Sequence, residues 1–331
     1  MIIINQAELQ KAGDQPCLRR RALADGEPIP DGALWIDLID PSREEDKRIE
    51  QHLAISIPTR EEMRDIEPSE ILFPENNALY MTVRILCHSD TAAPKLANIS
   101  FILNERALVT VRYDDPRSFQ MFIARSVKPS AGNAQPEAVL DGLIETVIDR
   151  AADILARVGD EVEAASRGVF DARAAELGRG GEYQDVIYQL GRIGDLISNV
   201  RESMVSLERM LLFLSANMNR PMRKSGFQAE WRTAIRDVQS IEDHASFLSS
   251  KIQFVLDATL GLVTLQQNSI VKLFSVLAVI FMPPTLVASI YGMNFKNMPE
   301  LAWELGYPMA IVIMILAAIL PYLFFRWKRW L

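Results

Sequence analysis

Two segments near the end of the chain limit its fold more than anything else in it. Residues 270–291, "IVKLFSVLAVIFMPPTLVASIY", carry one charge, Lys272, and residues 308–325, "PMAIVIMILAAILPYLFF", carry none. Each is about long enough to cross ~30 Å of hydrocarbon. The closing "RWKRWL" sets tryptophans beside Arg326, Lys328 and Arg329. That pattern belongs to a membrane interface and favours a spanning hairpin over a pair of helices in a soluble core. Upstream, no proline occurs between Pro221 and Pro283. One helix from near Ala229 through the first span would run about 60 residues, or ~90 Å at 1.5 Å per residue. Such a helix is unstable alone, so a bundle or an oligomer is implied.

The first part of the chain is of a different kind. "ALWIDLID" (33–40), "ALYMTVRIL" (78–86), "ANISFIL" (97–103) and "ALVTVRY" (107–113) are short runs rich in β-branched and aromatic residues, bounded by turns and charges. "SREEDKRIEQHLAI" predicts a helix with Ser42 as N-cap, and "IPTREEMRDIE" places Glu62 three residues after Thr59, the capping-box spacing. From Pro136 the pattern is helical, with apolar residues three and four apart over "EAVLDGLIETVIDRAADILARVGDEVEAASRGVF". Turns are expected at 177–183 and 217–226, with a second long helix between them ending near Met218. The expected class is therefore α+β. An α/β domain covers 1–135, a helical region including a long stalk helix covers 136–268, and a transmembrane hairpin covers 269–331.

Charge narrows the partners. A net charge of −8 over 331 residues argues against nucleic acid, whose phosphates need a basic face. Cys17 and Cys87 form no paired ligand ladder, and "CHSD" at 87–90 reads as a strand end and turn rather than a soft-metal site. Two isolated cysteines fit a reducing cytoplasm. "MIIINQAELQK" is too short and too soon charged for a signal peptide. Lys251 and Lys272 precede the first span, and Arg326, Lys328 and Arg329 follow the second, against Lys296 alone between them. Both termini are thus expected in the cytoplasm, with the connecting loop outside.

Two helices cannot enclose an aqueous path, so conduction would require several copies. Asn268, Val271, Ser275, Ala278, Met282, Thr285 and Ser289 trace one face of the first span at alternating spacings of three and four. A pore lining looks like this, and so does a tight contact between helices through small residues. Pro283 and Pro284 add a break in the hydrogen-bond ladder. There is no P-loop, no G-x-S-x-G and no H-E-x-x-H, which argues against an enzyme.

"YGMNFKNMPEL" after the first span, followed by a second span and a basic-aromatic end, resembles the CorA divalent-cation channels. The similarity is strong over 257–331 and looser in "LWIDLIDP" and "TREEMRDIE". It implies a funnel-shaped homopentamer in the bacterial inner membrane, in contact with lipid, that takes up hydrated Mg²⁺ and also accepts Co²⁺ or Ni²⁺. Tyr291, Gly292, Met293 and Asn294 match the selectivity filter. Five Asn294 side chains would accept hydrogen bonds from the waters of an ion that dehydrates reluctantly. Gly292 lets the chain turn sharply off the helix end, and Tyr291 and Phe295 pack the turn. Asp257, Asn268, Val271, Phe274, Ala278, Met282 and Thr285 match pore-lining positions, with Phe274 and Met282 as apolar constrictions able to gate by dewetting. Asp90 matches the loop acid of a cytoplasmic regulatory Mg²⁺ site shared by neighbouring chains, and Asp237, about one turn from the family's position, is the stalk acid closest to the second place. Lys296-Asn297 departs from the acidic-aromatic pair usual after the motif. A transporter of Zn²⁺ or Co²⁺ with the same architecture is the alternative, although Met293 favours magnesium. A membrane-anchored scaffold is a further one.

Overall fold

The computed structural model describes residues 1–8, 17–65, 67–91, 93–127, 135–170, 180–217, 228–293, 298–299 and 303–328. The first compact unit comprises Met1–Phe170 with Asp185–Val255, and the second comprises Asp171–Gln184 with Leu256–Leu331.

The first unit holds a seven-stranded sheet. Its strands are β1 (Ile2–Glu8), β2 (Cys17–Ala22), β3 (Ala33–Ile39), β4 (Leu72–Glu75), β5 (Ala78–Cys87), β6 (Lys95–Leu103) and β7 (Leu108–Arg112). The spatial order is β2-β1-β3-β7-β6-β5-β4. All neighbours are antiparallel except β3 and β7, which run parallel with Asp37 opposite Thr110. The central strands are apolar almost without interruption, because both faces of the sheet are covered.

On one face, Ile36, Leu38, Tyr80, Ile102 and Val111 pack with Ile49 and Met63. Ile49 comes from α1 (Arg43–Leu53), capped by Ser42 in a full capping box with Glu45. Met63 comes from a 3₁₀ turn at Glu62–Arg64, where Thr59 and Glu62 exchange the two reciprocal bonds that their spacing predicts. On the other face Trp35 meets Phe119 and Phe122 edge-on. Both phenylalanines belong to α3 (Arg117–Ser126), which follows the short α2 (Pro68–Ile71) and packs on α4 (Pro136–Phe170).

Three long helices follow: α4, α5 (Gly180–Asn217) and α6 (Gln228–Tyr291). In α5 Leu190, Ile193, Ile197, Val200, Met204, Leu207, Leu211 and Leu214 are buried at spacings of three and four, with Ser203 and Met210 buried beside them. In α6, Trp231, Val238, Ala245, Ile252 and Thr259 are buried at every seventh position, interleaved with Ile241, Leu248 and Val255. These are coiled-coil seams, which keep one apolar edge of each helix turned inward over many turns. Val255 is the last residue that this helix gives to the first unit.

Several elements differ from the sequence expectations. β1, β2, β4, α2 and α3 are additional to the four strands and the helix after Ser42 read in the first 130 residues. Gly180–Tyr183, expected in a turn, open α5. Asn217 ends that helix, and the rest of the 217–226 turn lies outside the described residues. α6 continues through Pro283 and Pro284 to Tyr291.

Candidate functional site

In the second unit, α6 from Leu256 onward and α7 (Gly306–Trp327) are the two helices long and apolar enough to cross a membrane. Within one chain their large side chains lie uncovered. Val271, Phe274 and Met282 are each more than three-fifths exposed, and Leu286 and Leu320 are alike. Apolar surface on this scale has to be covered by lipid or by protein. At the end of α7, Lys328 lies over the Trp327 ring at 6.0 Å, the basic-aromatic pairing suited to a headgroup layer.

The face traced in the sequence is an exposed face of this helix. Asp257, Asn268, Val271, Phe274, Ala278, Met282 and Thr285 are all solvent-exposed in the single chain. Two of its hydroxyls have a defined orientation. Ser275 Oγ donates to the Val271 carbonyl at 2.8 Å, and Thr285 Oγ1 donates to the Phe281 carbonyl at 2.7 Å. Their hydrogens are spent inside the helix, so each oxygen offers lone pairs outward. An acceptor is what the waters of a hydrated cation require.

At the end of α6, the Gly292 amide bonds the Ala288 carbonyl at 2.9 Å and Met293 bonds Ile290 at 3.2 Å. A Cβ on Gly292 would stand 3.1 Å from the Ala288 carbonyl oxygen. What favours glycine here is this close approach rather than a left-handed backbone. Tyr291 is half-buried and Met293 exposed, while Asn294, Phe295, Lys296 and Asn297 lie outside the described residues.

The two acids expected to regulate lie in the first unit. Asp237 is exposed on α6. It stands near Asp149 of α4, whose carboxyl is pushed up first by burial and then by Glu145, with Asp237 adding to the rise. Asp90 follows β5 in a turn begun by His88 at φ 57°. Its carboxylate takes a guanidinium from Arg150 at 2.5 Å and another from Arg157 at 3.0 Å. Hydrogen bonding by Arg157 first, then by Arg150, holds Asp90 below the usual carboxylate range despite some burial. Neither arginine was singled out in the sequence, although their spacing of two helical turns puts them on one face of α4. Among the described residues no group of three or more His, Cys, Asp or Glu side chains is arranged to hold a metal. Cys87 ends β5 with its thiol buried and pushed up to about 12, chiefly by desolvation.

A seven-stranded α/β portion, coiled-coil-like helices and a C-terminal pair of spans together define a two-span membrane protein with a large extramembrane part. The chain belongs to the CorA-like Mg²⁺ transporter protein family, whose model matches residues 30–329. This is a family of transporters, not of enzymes. The magnesium transport protein CorA of Escherichia coli K12 is 36% identical over 317 residues, covering 95% of this chain and 96% of its own. The protein of the same name from Sodalis glossinidius is 34% identical over 299 residues, covering 90% and 92%. The complete structure of the CorA magnesium transporter from Methanocaldococcus jannaschii superposes with a TM-score of 0.73 at 17% identity, covering 100% of this chain and 99% of that one. The full-length CmaX protein follows at 0.65 and 14%, covering 99% and 97%. At those identities the two structures bear on the fold alone.

Proposed function

We propose that this protein is a passive Mg²⁺ channel of the bacterial inner membrane. It works as a homopentamer with both termini in the cytoplasm and also admits Co²⁺ and Ni²⁺. The observation that carries the reading is the sequence Tyr291-Gly292-Met293-Asn294 at the end of the first candidate span, in a chain of this family. Five copies of α6 would line the path with Asp257, Asn268, Val271, Phe274, Ala278, Met282 and Thr285. Mg²⁺ holds its waters tightly, so the filter has to accept hydrogen bonds from those waters rather than strip them. The Asn294 amide oxygens supply acceptors at the mouth. The outward lone pairs of Ser275 and Thr285 continue the same chemistry along the helix. Phe274 and Met282 would close the path when apolar rings narrow around it. Inside the cell, Mg²⁺ shared by Asp90 and a neighbour's stalk acid, Asp237, would hold the closed arrangement. The domains are residues 1–135 for the cytoplasmic α/β part, 136–268 for the helical region with the stalk and 269–331 for the transmembrane hairpin.

The test is ion flux into proteoliposomes with Mg²⁺, Co²⁺ and Zn²⁺ in competition. Mg²⁺ should enter best, and assembled Asn294→Ala protein should be inactive. Preferential Zn²⁺ entry would make this a zinc transporter of the same architecture, and full flux through Asn294→Ala would remove the filter.

A further inference from the structure

A cavity of about 240 Å³ opens at the β4–β5 edge of the sheet, between the strands and the 3₁₀ turn at Glu62–Arg64. By comparison with the ~150 Å³ that holds benzene, it has room for about ten non-hydrogen atoms. Glu62, Asp65, Glu70 and Glu75 bring carboxylates to it, and no lysine, arginine or histidine stands among the described lining residues. Glu62 and Asp65 already accept the Thr59 and Glu67 amides. Glu70 and Glu75 are exposed, and their carboxylates take no hydrogen bond or ion pair among the described residues. The acids do not converge on a point, since among the described residues no three are placed to hold a metal ion.

Buried hydroxyls line the same space. Tyr80, 3% exposed, accepts the Ser56 amide at 2.9 Å, and its own hydrogen finds no acceptor among the described residues. Thr82 and Ser100, 9% and 1% exposed, bond to each other at 3.1 Å. That bond uses one of their two hydrogens and leaves the second without an acceptor among the described residues. Buried hydrogens left unpaired cost stability, so both call for an acceptor inside the cavity. Beside them Phe73 lies flat on Tyr80, with centroids 4.8 Å apart and planes at 6°, which gives the wall an apolar part. Free carboxylates suit an ammonium, unpaired hydroxyl hydrogens suit oxygen acceptors, and the ring pair suits C–H bonds. A metal ion or a fully protonated polyamine brings no acceptor. A neutral sugar brings no charge.

We propose that this cavity binds a hydroxylated amine of amino-sugar size. Its ammonium sits at Glu70 and Glu75, and its hydroxyl oxygens accept from Tyr80 and from the Thr82–Ser100 pair. Full-length protein in nanodiscs is titrated calorimetrically with glucosamine, glucose and putrescine at fixed Mg²⁺ and mildly acidic pH, where the amines are protonated. Glucosamine should bind tightest. Glucose, which lacks the ammonium, and putrescine, which lacks the hydroxyls, should each bind about tenfold more weakly. Glu70→Gln with Glu75→Gln should weaken glucosamine about tenfold and leave glucose unchanged. Both positions are exposed, and an unaltered melting temperature confirms that this variant is folded. Thr82→Val with Ser100→Ala should weaken glucosamine and glucose alike. The proposal is overturned if no sugar binds saturably, or if glucose or putrescine matches glucosamine. Unchanged glucosamine affinity in the folded Glu70/Glu75 variant overturns it as well.

Discussion

Arg112 grips Asp37 with two parallel hydrogen bonds, Nε to Oδ1 at 2.9 Å and Nη2 to Oδ2 at 3.0 Å, in the middle of the sheet. Both side chains are buried. Thr110 donates to Asp37 at 2.9 Å, Trp35 donates to Thr110 at 2.9 Å, and Arg20 adds a contact to Asp37 at 3.2 Å. The parallel pair β3 and β7 is thus tied by charge as well as by its backbone ladder.

Breaking this pair from one side leaves a buried charge without its partner. Asp37→Leu alone should destabilise the protein by about 3–5 kcal/mol. The double variant Asp37→Leu with Arg112→Met should cost clearly less than the two single changes added together. Thermal or denaturant unfolding of the four proteins measures the coupling, and strict additivity would refute it.

Gly142 lies against Phe122, where an added Cβ would stand 2.6 Å from ring atom Cε2. Phe122 is buried beneath Trp35, so the ring has little room to retreat. Gly142→Ala should cost about 1–3 kcal/mol through overpacking. Adding Phe122→Leu should recover part of that loss, which a melting series on the three proteins would detect.

Asp141 on α4 has its carboxyl pushed up to about 6, first by burial and then by Glu145 and Glu230. A raised carboxyl favours the folded state while it is protonated. Its contribution is therefore full below the unfolded value, near 4, and is lost as pH rises through about 6. Asp141→Asn should accordingly raise the melting temperature relative to wild type at pH 7.5. That advantage should vanish by pH 4. An equal gain at both values would show that charge is not the cause.

The bias of basic residues around the two candidate spans predicts that the loop between them lies outside. A cysteine introduced at Asn297, after replacement of Cys17 and Cys87, should react with an impermeant maleimide in intact spheroplasts. Reaction only after lysis would invert the topology.

The membrane hairpin, the long helix and the "YGMNF" motif were legible because each depends on local composition or spacing. The α4 face was legible for the same reason. The capping boxes at Ser42 and Thr59 were equally local, and both form. β1 and β2 were harder. "IIINQAE" has its apolar residues in one run, and "CLRRRA" carries three arginines, one of which, Arg20, turns inward to a buried aspartate. Nothing in either segment announces a partner, since pairing is decided across the sheet. α3 begins at Arg117 without a side-chain cap, its N-cap being Pro116, so the usual start signal is absent. The ion pairs of Arg112 with Asp37 and of Arg150 and Arg157 with Asp90 were illegible for a similar reason. Each joins residues at least 60 positions apart, and a lone arginine in a sequence does not disclose which acid it will meet.

The neighbouring of β3 and β7 also dictates an order of assembly. Asp37 and Thr110 bond although they stand 73 positions apart, while β5 and β6 are joined by a short turn. Closing the long loop costs chain entropy before any contact repays it, so the β5–β6 hairpin can form early and the β3–β7 seam must form late. During synthesis β1, β2 and β3 leave the ribosome with one edge unsatisfied and wait for β7. Over that interval β3, whose Trp35, Ile36 and Leu38 are wholly buried once the sheet closes, is a bare apolar edge. This is the stage at which a chaperone would have most to protect.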